Sequence, residues 1–105
     1  MSMSPIHALI AIGATLAFSP AIASQELAQK NNCLACHAVA NKVVGPAYKD
    51  VAAKYRGQQD AEATLVANIK KGGSGKWGQV PMPPQSTLSD ADATALAKWI
   101  LSQAK

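Results

Sequence analysis

Cysteine and histidine are scarce in this chain of 105 residues, with two of each: Cys33, Cys36, His7 and His37. A four-ligand zinc site therefore lacks partners, because only His7, near the start, remains outside the Cys33–His37 segment. There is no βαβ pattern, so the cysteines do not read as a thioredoxin-type pair. Repeats, low-complexity tracts and convincing strands are absent too. The net charge is only +4 and no nucleic-acid-binding motif is present, which argues against a nucleic-acid partner.

Charge is missing from the first stretch. All ten basic and all six acidic residues lie beyond Ala23. Ala8 to Phe18 is an apolar-to-small run too short to span a bilayer. Ser19-Pro20 breaks it, and Ala21-Ile22-Ala23 has the A-x-A form of a signal-peptidase site. Residues 1–23 are expected to be a cleaved signal peptide and residues 24–105 the mature domain. The n-region has no Lys or Arg, so Met3 is an alternative initiator. An uncleaved membrane anchor is the structural alternative. Cleavage leaves 105 − 23 = 82 residues, one domain that is marginal on its own core.

What the chain does have is Cys33-Leu34-Ala35-Cys36-His37. C-x-x-C-H is the attachment signature of a c-type haem. Thiols at i and i+3 share one side of a helical turn and can reach vinyl groups along one porphyrin edge. His37, four residues after Cys33, can meet the iron from the same side. A plain disulfide would leave His37 unexplained. The export signal agrees with this motif, since c-type haem is attached outside the bacterial cytoplasmic membrane. His37 is thereby committed, and no Ser/His/Asp grouping remains.

Four helical stretches follow from periodicity. Gln25 to about Asn32 runs into the motif, with Glu26 in its first turn. Pro46 to about Tyr55 carries Ala47, Val51 and Tyr55 on one face and stops at Arg56-Gly57, where Gly suits a left-handed cap. Asp60 to about Lys71 has Asp60 as N-cap, Leu65, Val66 and Ile69 apolar, and ends at Gly72-Gly73. The last helix begins at Ser89, with Asp92 placed as in a capping box. Its stripe is Ala93, Leu96, Ala97, Ile100, Leu101 and Ala104, expected to pack on the first helix. Trp99 is expected at the edge of that stripe, as a packing residue.

Gly72 to Ser86 is a glycine- and proline-rich loop, long for so small a domain and so a functional candidate. It holds Pro81-Met82-Pro83-Pro84. A Met thioether is soft, favours ferrous iron and raises a haem's reduction potential. Prolines on both sides limit the entropy cost of presenting one side chain. Met82 is the only Met of residues 24–105 and is the candidate sixth ligand; filling a core gap is its other reading. With His37 and Met82 both bound, the iron is closed, which suits outer-sphere electron transfer rather than oxygen chemistry.

The ordered set C-x-x-C-H, V-G-P-A-Y-K-D, W-G, P-M-P-P and a final A-K-W-I-L-S-Q resembles the small class I bacterial cytochromes c, of the c-551/c-552 type, over Gln25 to Lys105. The resemblance implies an all-α class I cytochrome c fold, three to four short helices around one haem c held by Cys33 and Cys36 through two thioethers. It implies that Pro46 offers its carbonyl to the His37 ring, with Gly45 permitting the turn. It implies that Trp77 reaches a haem propionate through its indole N–H, a plain core aromatic being the alternative. The chain departs from the pattern at Asn68, where some relatives have Arg near a propionate, and at Gln85, where some have Asn after M-P-P. Function is then single-electron carriage in the periplasm by a monomer, not catalysis. A cytochrome bc-type complex is the implied donor, and nitrite reductase, a terminal oxidase or a peroxidase the acceptor. Lys30, Lys42, Lys49, Lys70, Lys71 and Lys76 flank the proposed crevice, either as a steering ring for an acidic partner or simply as a solvated surface. A haem enzyme or gas binder with an open sixth site, and a haem domain anchored to a membrane complex by an uncleaved N-terminus, are the other classes. No membrane insertion is expected after cleavage.

The haem supplies core that the sequence lacks. The apo-chain is therefore expected to be largely unfolded, checked by circular dichroism melts of apo- and holoprotein; a cooperative apo melt matching the holoprotein would contradict it.

Overall fold

The computed structural model describes residues 20–103. The Ala8–Phe18 run of the expected signal peptide and the last stripe residue, Ala104, lie outside the described residues. Four helices are present: α1 Pro20–Lys30, α2 Tyr48–Tyr55, α3 Ala61–Lys71 and α4 Asp90–Leu101, with a 3₁₀ turn at Cys33–Ala35. Among the described residues, extended pairing is limited to two isolated bridges, His37 with Lys42 and Gly73 with Met82. The architecture is the expected all-α one.

α1 begins at Pro20 rather than Gln25, since proline is pre-organised for the first helical position. Glu26 therefore sits mid-helix and the first turn holds no acid, contrary to expectation; Lys30 in the last turn does complement the helix dipole. α2 starts two residues later than read, with Pro46 and Ala47 leading in. Gly57 follows it with a φ of 79°, the left-handed geometry expected there. Asp60 occupies the N-cap of α3, but its side chain makes no capping bond. Its φ and ψ are −94° and 10°, not extended, and the Ala61 amide instead donates to the Gln58 carbonyl at 3.3 Å. Ser89 caps α4 as read, its hydroxyl accepting from the Asp92 amide at 3.1 Å.

α4 touches all three other helices, and so organises the domain. Ala93, Leu96, Ala97 and Ile100 are buried on it, as their spacing requires. Fully buried alanines on α1 (Ala28) and α4 (Ala93, Ala97) leave room for close backbone approach. α2 buries Tyr48, Val51, Ala52 and Tyr55, the i, i+3, i+4, i+7 set, so Tyr48 belongs to the inner face. Trp99 is the packing residue expected at the edge of the stripe. It is buried, with its ring meeting Tyr48 edge-on at 5.2 Å and 70°. A single-helix pattern cannot see a second packing partner, and α2 supplies one.

Trp99→Ala is expected to lower the unfolding free energy by about 3–5 kcal/mol, measured by denaturant titration of the holoprotein.

Candidate functional site

The motif segment is shaped before it meets anything else. Asn32, at φ 60° and ψ 21°, breaks the chain out of α1; Asn tolerates this left-handed geometry better than most residues. The following turn is 3₁₀, closed by Cys36 N–H to the Cys33 carbonyl at 3.2 Å. With three residues per turn, positions i and i+3 eclipse, so Cys33 and Cys36 stack on one side. Both are free, half-buried thiols. Burial raises the Cys33 thiol above its ordinary value, outweighing its hydrogen bonds, and burial first, then Cys33 and Cys36, raises the Tyr48 hydroxyl.

His37 comes next, its amide donating to the Cys33 carbonyl at 2.9 Å. Its ring Nδ1 lies 2.8 Å from the Pro46 carbonyl oxygen. A carbonyl only accepts, so Nδ1 carries the proton and Nε2 keeps a free lone pair. The ring stacks on Tyr48 at 5.1 Å and 20°. Gly45 also approaches the ring closely: an added Cβ would lie 2.5 Å from Cε1 and 2.9 Å from Nδ1. Gly45 has no positive φ, so it serves by close approach and not by permitting a turn. The Gly45 and Val44 amides both donate to the Cys36 carbonyl, at 2.7 and 3.2 Å, and hold this strap against the motif.

Met82 is held from the far end of α3. Its amide and carbonyl exchange bonds with Gly73, at 2.8 and 3.1 Å. Gly72, at φ 66°, lies against the proline-flanked backbone: a Cβ there would collide with the Met82 carbonyl and stand 2.7 Å from the Pro84 nitrogen. The Gln85 amide then donates to the Ile69 carbonyl at 3.1 Å, tying the segment back to α3.

Cys33, Cys36, His37, Pro46, Trp77 and Met82 all line one cavity of about 690 Å³. Its apolar wall includes Val51 of α2, Leu65 and Ile69 of α3, and Leu96 and Ile100 of α4. Two reduced thiols, an imidazole with a free Nε2, and a thioether around an apolar space of this size fit a c-type haem. Trp77 is 38% exposed, with the Lys54 ammonium 4.6 Å from its ring centroid, so it is a rim residue and not a core aromatic. Among the flanking lysines, Lys70 is paired with Asp90, Lys42 and Lys76 line the cavity, and Lys30, Lys49 and Lys71 are exposed. Val44 and Val80, 50% and 65% exposed, add apolar surface to the cavity lining. Tyr48 is the site residue that sequence reasoning missed; the 48, 51, 52, 55 spacing carried the signal.

The Cytochrome c family model matches residues 21–104. The chain is 58% identical to cytochrome c-552 of Nitrosomonas europaea over 92 residues, 88% of this chain and 89% of that protein. It is 53% identical to cytochrome c-551 of Pseudomonas aeruginosa over 96 residues, 90% of this chain and 91% of that protein. The crystal structure of wild-type Nitrosomonas europaea cytochrome c552 superposes with a TM-score of 0.73 at 61% identity, covering 75% of this chain and 98% of that chain.

Gly72→Ala is expected to lower the unfolding free energy by about 2–4 kcal/mol, through left-handed strain plus overlap with the Met82 segment. Gly57→Ala, at φ 79° with nothing within 4 Å of the new carbon, is expected to cost only about 1 kcal/mol. Urea titration of the two variants checks the order.

Proposed function

This chain belongs to the cytochrome c family and is a small haem electron carrier, not an enzyme, and we propose how its residues hold the haem and where it works. Cys33 and Cys36 each form one thioether to the haem c. His37 binds the iron through Nε2, because Nδ1 is occupied by Pro46. Met82 is the sixth ligand, presented by the clamped Gly72–Gln85 segment. Trp77 directs its indole N–H toward a haem carboxylate at the rim. The bound haem supplies a reversible one-electron change at iron. The protein's part is to exclude water with the apolar walls and to keep both ligands in place in either oxidation state.

The observation that supports this reading is the 2.8 Å contact of His37 Nδ1 with the Pro46 carbonyl, which leaves Nε2 available on the cavity that Met82 also lines. We place the carrier in the periplasm as a monomer, after removal of residues 1–23. No described helix is long and apolar enough to cross a membrane. It acts as a redox partner of other proteins: electrons arrive from a cytochrome bc-type complex and leave to nitrite reductase, a terminal oxidase or a peroxidase. The exposed Val44 and Val80 offer a desolvating contact at the cavity, and Lys42 and Lys76 offer electrostatic steering.

The test is an optical spectrum of the holoprotein, with carbon monoxide added to the reduced form. A low-spin spectrum with a sulfur-to-iron band, unmoved by carbon monoxide, is expected. Met82→Ala is expected to retain covalent haem, lose that band, bind carbon monoxide and show a lower potential. A wild-type spectrum that shifts with carbon monoxide would instead mean an open iron and a ligand-binding or catalytic role.

A further inference from the structure

The cavity wall carries two cations, Lys42 and Lys76, and no acidic residue. Lys76 is the one with a built position. Its ammonium donates to the Tyr55 hydroxyl at 3.1 Å, and the same hydroxyl accepts from the Asn68 side-chain amide at 3.4 Å. Tyr55 is 4% exposed, so it is a fixed post on α2 behind the wall. Asn68 and Lys76 reach it from α3 and from the Gly72–Ser86 loop, and both line the cavity. An ammonium has three N–H donors, and Tyr55 takes one. Among the described residues the ion pair formed is Lys70 with Asp90, and none of their carboxylates pairs with Lys76. Next to Lys76 is Trp77, itself under the Lys54 ammonium.

We propose that Lys76, positioned by Tyr55 and Asn68, is the cation that pairs with a haem carboxylate at the Trp77 rim and thereby raises the reduction potential. This rests on the haem placement of the preceding section. Asn68 is neutral and can only hydrogen-bond, so the cation on the cavity lining at this end comes from the loop and not from α3, while Lys54 of α2 lies over Trp77 outside that lining. The sign is set by charge alone. An ionised carboxylate close to the iron favours the ferric form, and a cation beside it offsets that preference. Because Lys76 shares a loop with Met82, one segment both supplies a ligand and tunes the charge around it.

Lys76 is a positioning and tuning residue, so its test needs a readout that packing alone would not move. The charged or titratable groups around this end are Lys76 itself and Tyr55 and Lys54 from α2, while Lys42 lines the same cavity from the strap beside His37; α3 contributes neutral Asn68. Holoprotein carrying Lys76→Met is compared with Lys76→Arg and with Lys71→Met, which removes an exposed charge outside the cavity lining. Lys76→Met is expected to weaken the affinity for the electron roughly threefold to tenfold, tenfold being about 59 mV for one electron. The haem carboxylate, followed by NMR across a pH titration, is expected to protonate at higher pH in Lys76→Met. Lys76→Arg is expected to restore both, and Lys71→Met to leave the carboxylate titration unchanged. Equal potentials in Lys76→Met and Lys71→Met, with no movement of the carboxylate titration, would overturn the proposal. So would loss of the sulfur-to-iron band in Lys76→Met, which would make Lys76 a support for the Met82 loop. If wild type itself lacks that band, the ligation scheme fails, and the carboxylate titration still decides the role of Lys76.

Discussion

A domain this small has to assemble its core around a space that its own side chains do not fill. α2, α3 and α4 each turn apolar residues toward the cavity, among them Val51, Leu65, Ile69, Leu96 and Ile100. Behind them lies a buried cluster that includes Ala28, Tyr55, Ala93, Ala97 and Trp99. The helices are short, and α4 packs on all three others. Burying a large apolar plate there would add apolar area that so small a domain has little of, and so would couple haem attachment to folding.

The two ends of the site are built on different principles. Around His37 the constraint is packing: Tyr48 stacked on the ring, Gly45 close against it, and the Pro46 carbonyl accepting from Nδ1. The ring has little freedom to turn or to change tautomer. Around Met82 the constraint lies in the backbone, through the paired bonds to Gly73, the tie from Gln85 to Ile69, and three prolines. A weak thioether ligand depends on such a frame, because its bond to iron cannot organise the loop by itself. In the proposed ligation both ligands hold station as the charge changes, which keeps rearrangement on electron transfer small.

Charge is distributed to match. The cavity lining is cationic, with Lys42 and Lys76, while Lys70 is drawn off into its pair with Asp90. The six flanking lysines thus divide by tertiary placement, although they look alike as residues. In the proposed docking, the exposed valines at the cavity would give a partner an apolar surface to dehydrate, and the lysines would orient the encounter. Area and charge of this kind favour fast, short-lived complexes, as a carrier needs.

The sequence by itself determined the chemistry and the helices. C-x-x-C-H and P-M-P-P are local, so their meaning survives without coordinates, and the stripe of α4 follows from a 3.6-residue period. The Ser89 cap and the left-handed Gly57 were legible for the same reason. Tertiary structure decided what depends on a second segment. Gly45 serves by close approach to His37, Trp99 is buried with Tyr48 of α2 against its ring, and Asp60 does not cap because its backbone is not in the extended geometry a capping side chain needs. Lys76 and Asn68 meet at Tyr55 only once α2, α3 and the loop converge. Periodicity reports the face a residue occupies on its own helix. Which neighbour covers that face is a property of packing, and no local pattern encodes it.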